Sequence, residues 1–141
     1  FIAKPGHKII SSDYSQVELR LMAVVAGVKA LKEAFNHGID IHAATAAKVF
    51  GVPADQVDHN LRRHAKTINF GVIYGISQYG LAKQLGISAD EAKIYIDNYF
   101  RQMPEIKAYM EKTIAFAHKN GFVLTPYGRK CFVFGINDKW P

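Results

Sequence analysis

The sequence predicts a mainly α-helical chain with a short strand near its N-terminus and a β-hairpin near its C-terminal end. Three observations predict that class. Apolar residues recur at three- and four-residue intervals through most of the 141 residues, the spacing that gathers them on one helix face. Ser or Asp precedes most of these runs, where a side-chain oxygen can satisfy the free amides of a first turn. Near the end, Pro126-Tyr127-Gly128 divides two β-prone runs, the proline presetting φ and the glycine free to take positive φ.

Taken in order, residues 7–10 follow the Pro5-Gly6 turn as a strand-like run that leads into Ser11, Ser12, Asp13 and Tyr14. Ser15 followed by Glu18 fits a capping box, and Leu19, Met22, Ala23 and Ala26 continue at helical spacing until Gly27. Asp40 caps a helix over 41–50, which Gly51 and Pro53 close. A longer helix is expected from about 58 to 74, then a short helical segment over 77–87. Ser88 and Glu91 form a second capping box for a helix reaching about Arg101. Pro104 suits the first turn of the next helix, which continues to about Lys119 before Asn120-Gly121 ends it. Residues 122–125 and 129–134 make the hairpin strands. Internal repeats, low-complexity tracts and flexible linkers are absent from the sequence.

Length and composition bound the function. A chain of 141 residues fits one domain, or one and a part. Its 49% hydrophobic, 12% aromatic and 21% charged residues are those of an ordinary globular protein. A formal charge of +6 and a pI near 9.4 favour an acidic partner, nucleic acid first and an anionic small molecule second. Cys131 is the single cysteine, so an internal disulfide is excluded, and there is no CxxC or zinc-type Cys/His spacing. A reducing cytoplasmic compartment is expected. The longest apolar run, 21–28, falls far short of the ~20 residues that span a bilayer. The chain opens at Phe1, has no leader-like start and stops at Pro141, and it reads as a piece of something longer.

Arg62, Lys66, Phe70 and Tyr74 stand at a strict spacing of four. On one helix they form a slowly winding stripe of two cations followed by two aromatics, about 18 Å long at ~1.5 Å per residue. A triphosphate could lie against the cations and a sugar and base against the rings. Gly71 and Gly75 lie in the same segment, each costing roughly 1 kcal/mol relative to alanine in a helix interior. Close approach by another backbone, a base or a ligand is the usual compensation. Taken alone, either half of the stripe reads as a basic exposed turn or an aromatic core face.

The second informative stretch is Asp13-Tyr14-Ser15-Gln16-Val17-Glu18-Leu19-Arg20. Its structural reading is simple: Ser15 and Glu18 cap a helix and Asp13 ends a strand. A carboxylate at a strand end also suits Mg²⁺, which takes one or two protein carboxylates and completes its shell with water and substrate phosphates. Two-metal phosphoryl transfer requires ions ~4 Å apart, bridged by carboxylates from separate segments.

These residues resemble the family A DNA polymerases, the bacterial DNA polymerase I group. The octapeptide looks like their motif A; Arg62 through Lys66, with Asn69, Phe70, Gly71, Tyr74 and Gly75, looks like motif B. Asp40-Ile41-His42 between them and the hairpin over 121–134 match in order and spacing. The resemblance implies the fingers subdomain of a right-hand polymerase. Residues 1–20 would be a palm strand with the start of the motif A helix, and 21–141 the fingers, with the nucleotide-binding helix at about 58–75 and the hairpin at about 122–134.

By that resemblance, Asp13 is catalytic and ligates two magnesium ions, joined by the Tyr14 carbonyl. Glu18 lies under the incoming sugar, excludes a ribose 2′-hydroxyl and is held by the Tyr74 hydroxyl. Arg62, Lys66 and His42 contact the triphosphate, Phe70 packs on the deoxyribose, and Ser15 and Gln16 line the site near the nascent pair. Thr67 and Gly71 face base or template. A phenyl ring cannot donate to phosphate where a tyrosine could, so poor use of dideoxynucleotides is implied. The implied partners are deoxynucleoside triphosphates, a DNA primer-template and the remaining palm and thumb. Closure of the stripe helix onto the palm is implied as well.

The chain departs from the family in one important respect. The second catalytic aspartate is missing, since Asp97 and Asp138 stand in the wrong context, so the 141 residues alone are expected not to extend a primer. Trp140 follows Asn137-Asp138-Lys139 where the family more often has a polar residue.

Other residues keep ordinary readings. His42 alone is a surface histidine near a helix start; Arg63 and His64 read as a solvated or DNA-facing patch, as do Arg129 and Lys130 on the hairpin. Tyr79, Tyr95, Tyr99 and Tyr109 recur at near-helical spacing and are assigned to the core. A rival from another class is a non-catalytic helix-turn-helix DNA-binding module, carried by 81–88 with Glu91, Ala92 and Ile96. It leaves Asp13, Glu18 and the stripe unexplained. An ATPase reading lacks a GxxxxGK[ST] loop.

Overall fold

The computed structural model describes residues 1–138, so the unusual Trp140 lies outside the described residues. Seven helices run in order: α1 (Val17–Val25), α2 (Lys29–Asn36), α3 (Ile41–Phe50), α4 (His59–Ile73), α5 (Gln78–Leu85), α6 (Ala89–Gln102) and α7 (Pro104–Asn120). Two short antiparallel strands follow, β1 (Phe122–Leu124) and β2 (Lys130–Phe132), with Val123 opposite Cys131. The class is therefore mainly α with a C-terminal hairpin, as the periodicity and turn chemistry predict.

Local chemistry explains most boundaries. The Asp40 carboxylate accepts from the His42 and Ala43 amides at 3.0 and 3.2 Å and starts α3. Asp58 accepts from Leu61 at 2.7 Å and starts α4, while Ser77 and Ser88 cap α5 and α6 at 3.2 and 3.1 Å. Each such cap is worth about 1 kcal/mol. Pro104 opens α7, where its missing amide donor costs nothing.

Five expectations fail locally. Residues 7–10 form no strand, because a strand needs a partner ladder and no described segment pairs with them. The Ser15/Glu18 capping box does not form: Gln16 occupies the cap in a left-handed conformation (φ 53°), without a side-chain cap bond, and the Ser15 carbonyl accepts from Arg20 Nε. In the second box only Ser88 bonds as expected; Glu91 instead accepts from the Tyr95 hydroxyl at 2.6 Å. Tyr79 is 71% exposed, whereas Tyr99 is fully buried. The hairpin strands are also shorter than predicted.

Helix α2 was not anticipated from the sequence. Its cap residue, Val28, offers no side-chain acceptor, so the usual start signal is missing. The spacing of Val28, Leu31, Ala34 and Phe35 was the available signal, and these residues do pack into the core.

The core joins Leu19 and Met22 of α1, Leu31 of α2, Ile41 and Val49 of α3, Ile68 and Val72 of α4, and Leu81, Tyr99 and Ile106 from the later helices. Full burial of each such side chain contributes about 1.5–3 kcal/mol relative to exposure. The most extensive helix interface is between α3 and α4, which fixes the stripe helix against the helix that carries His42. None of the described helices is long and apolar enough to cross a membrane.

Candidate functional site

Four-residue steps on α4 place Arg62, Lys66 and Phe70 on one flank. Across from them lies the irregular segment before α1. Asp13, Tyr14, Ser15, Gln16, Glu18, His42, Arg62, Lys66 and Phe70 line one cleft of about 330 Å³. All nine were singled out from the sequence.

The cleft's cationic wall is partly organised by Asp40. Its second carboxylate oxygen accepts from Arg62 Nε at 2.6 Å, so one residue caps α3 and anchors an arginine of α4. Burial raises the Asp40 pKa, but hydrogen bonds from Arg62 and from the Ala43 and His42 amides outweigh it and leave the carboxyl below its usual range. The pair is about 40% exposed on each side, so its own contribution is at most about 1 kcal/mol. Lys66 Nζ stands 6.0 Å from the Phe70 ring centroid, and the His42 ring packs on Phe70 with centroids 5.9 Å apart at a tilt of 42°.

His42 is not the surface histidine its helix position suggests; it is only 2% exposed. Its Nδ1 lies 3.0 Å from Asn69 Nδ2, and Asn69 is bonded to Thr45 at 3.2 Å. Burial, with Arg62 and Lys66 nearby, lowers the His42 pKa against the opposing pull of Asp40. Neither Thr45 nor a role for Asn69 was identified from the sequence. Their spacing from His42 and Phe70 was visible, but which polar side chains meet across the α3–α4 seam depends on helix packing.

Tyr74 ends α4 as its C-terminal cap, and its hydroxyl donates to Glu18 Oε1 at 3.4 Å. The stripe is thereby tied to the segment carrying Asp13. Thr67, Gly71 and Tyr74 do not join the first cleft. They line a second depression of about 510 Å³ on the other flank of α4, with Arg63, Lys66 and Phe70. Another cavity of about 420 Å³ beside α2 and α3 holds none of the residues singled out from the sequence.

Gly71 has an internal reason to be glycine. The Ile76 amide bonds back to the Gly71 carbonyl at 2.8 Å and the Gly75 amide to Val72 at 3.0 Å, a Schellman closure with Gly75 at φ 73°. The Ile76 side chain then lies on Gly71, where a Cβ would come within 2.9 Å of Cγ2.

Chemically, the cleft brings together two cations, a buried imidazole, the Asp13 and Glu18 carboxylates and an aromatic ring. Among the described residues no group of three or more His, Cys, Asp or Glu side chains could hold a metal ion. Asp13 lines the cleft and offers one of the one or two carboxylates that a magnesium ion ordinarily takes. The helix-turn-helix alternative meets a physical objection. Helices α5 and α6 do join at Gly86 (φ 70°), but the first turn of α6 carries Asp90 and Glu91. A recognition helix enters the groove by its N-terminal residues, where these carboxylates would repel phosphate.

A mainly helical architecture closed by a C-terminal hairpin matches part of a polymerase domain. The chain belongs to DNA polymerase family A, whose family model matches residues 1–140. It is 51% identical over 139 residues to DNA polymerase I of Pseudomonas aeruginosa, covering 99% of this chain and 15% of that protein. Against DNA polymerase I of Rhizobium leguminosarum the identity is 53% over 130 residues, 92% of this chain and 13% of the relative. The thermostable DNA polymerase I of Thermus thermophilus is 43% identical over 139 residues, 99% of this chain and 17% of its own. The chain thus spans only about a sixth or less of these relatives. A solved POL domain of Pol1 from M. smegmatis, in complex with DNA primer-template and dNTP, superposes with a TM-score of 0.81 at 40% identity, over 89% of this chain and 22% of that one.

Proposed function

We propose that this chain is the part of a DNA-directed DNA polymerase that binds the incoming deoxynucleoside triphosphate, with residues 1–20 a strip of palm and 21–141 the fingers. The observation that carries the proposal is the single cleft that unites Asp13 to Glu18 with His42, Arg62, Lys66 and Phe70. In the full-length enzyme it supports template-directed addition to a primer 3′ end, in the cytoplasm. Arg62 and Lys66 offset the charge of the transferring phosphoryl group, the main contribution a protein makes to this reaction. His42 adds a donor. Phe70 packs on the sugar, and Glu18, held by Tyr74, stands where a ribose 2′-hydroxyl would need to be. Ser15 and Gln16 border the nascent pair, and Thr67 and Gly71 the template side.

Asp13, with the Tyr14 carbonyl, is the residue that would hold magnesium. When bound, two such ions neutralise phosphate charge and activate the attacking hydroxyl. The second carboxylate they need is not in these 141 residues. Rotation of α4 toward the palm on binding the correct triphosphate would complete the site.

Equilibrium binding of dATP to the chain tests the reading. Arg62→Ala and Lys66→Ala are expected to weaken it by about tenfold or more each, since each removes a charge-assisted phosphate contact. Duplex binding that tracks DNA sequence and ignores both substitutions would refute it in favour of the helix-turn-helix module.

A further inference from the structure

The buried polar side chains among the described residues are three, and they form one connected group: Asn69 at 0%, His42 at 2% and Thr45 at 4% exposure. A buried hydrogen-bonded group gains little over an apolar residue of the same shape. Three of them at the α3–α4 seam therefore serve geometry more than stability.

That geometry ties a proton's position to the orientation of one amide. Thr45 Oγ1 lies 3.2 Å from both amide atoms of Asn69, donating to Oδ1 and accepting from Nδ2. The amide nitrogen also faces His42 Nδ1 at 3.0 Å. An amide nitrogen has only protons to offer, so the Nδ1 it meets must present its lone pair. In the neutral ring the proton then sits on Nε2, on the edge that Asn69 does not occupy, and His42 lines the cleft. Burial, with Arg62 and Lys66 nearby, lowers the ring's pKa against the pull of Asp40 and so favours the neutral form.

We infer that Asn69, held in the α3–α4 seam by Thr45, turns its amide nitrogen toward Nδ1 and is thereby a positioning residue that fixes neutral His42 as the Nε2–H form, making the ring a hydrogen-bond donor to a triphosphate oxygen. In the opposite tautomer the Nε2 lone pair would face an anionic oxygen. The inference rests on reading the cleft as the triphosphate site, but the tautomer itself does not.

Two measurements on the 141-residue chain test it. Ring ¹⁵N NMR, with the His42 signals assigned by their loss in His42→Gln, should find a neutral ring protonated at Nε2. Asn69→Asp, which replaces the donor with an acceptor, should move a proton onto Nδ1. Protonation at Nδ1 in the unaltered chain, or an Asn69→Asp ring identical to it, overturns the inference. Should the buried aspartate prevent folding, Asn69→Ala, which removes the donor outright, is expected to mix the two tautomers and weaken dATP binding roughly three- to tenfold. If Arg62→Ala abolishes dATP binding but Asn69→Ala leaves tautomer and affinity unchanged, the positioning role is refuted and the proposed function stands. Affinity insensitive to Arg62→Ala refutes the triphosphate reading, and with it the donor role, whatever tautomer is found.

Discussion

Gly71→Ala is expected to change sign with the residue at position 76. Gly71 lies in the last turn of α4, where an added Cβ would meet Ile76 Cγ2 at 2.9 Å and its Cβ and Cδ1 at 3.4 Å. Ile76 cannot simply swing away, because its branched Cβ leaves few rotamers. Overpacking of this kind costs about 1–3 kcal/mol. Alanine returns roughly 1 kcal/mol of helix propensity, so the net loss is about 0–2 kcal/mol. Against Ile76→Ala the obstruction is gone, and Gly71→Ala should stabilise by roughly 1 kcal/mol. Urea unfolding followed by circular dichroism on the four chains of this cycle measures the coupling, expected at about 1–3 kcal/mol. Equal effects of Gly71→Ala in both backgrounds would show that Ile76 packing is not why the position is glycine.

Three further outcomes follow from the site. Asp40→Ala should cost about 1 kcal/mol or slightly more by removing the α3 cap, whereas Asp40→Asn keeps the cap and isolates the Arg62 pair at under about 1 kcal/mol. The folded-state pKa of Asp40 is depressed, so its contribution is full above the unfolded value near 3.8 and is lost as pH falls through the lower folded value; the gap between the native chain and Asp40→Asn in acid unfolding should close there. In a polymerase carrying this segment, Phe70→Tyr should raise incorporation of dideoxynucleotides relative to deoxynucleotides, read as a ratio of kcat/KM values, because the new hydroxyl can donate to phosphate. The 141 residues alone should incorporate no nucleotide into a primer-template with magnesium, and detectable extension would contradict the need for a second carboxylate.

Legibility followed the range of the interactions involved. Caps such as Asp40, Asp58, Ser77 and Ser88 act over two or three residues, so the starts of α3 to α6 could be read directly. Helix α2 escaped because Val28 caps nothing, although its apolar spacing was present. The expected strand at 7–10 failed for the opposite reason, since local β propensity forms no ladder without a partner. The Ser15/Glu18 box failed where Gln16 takes a left-handed conformation at the edge of the cleft. Gly71 was marked as a costly glycine, but its partner, Ile76, was not foreseen.

The sequence by itself determined the family and the stripe, because these are written in spacing along one helix and in two contiguous motifs. Tertiary structure alone decided what those residues meet. Packing of α3 on α4 buried His42 against Asn69 and Thr45, and it brought Asp40 to Arg62 across 22 residues of chain. Folding of α1 against α4 set Glu18 on Tyr74 across 56. Such contacts depend on crossing geometry and side-chain shape summed over the whole core, and no local pattern encodes that sum.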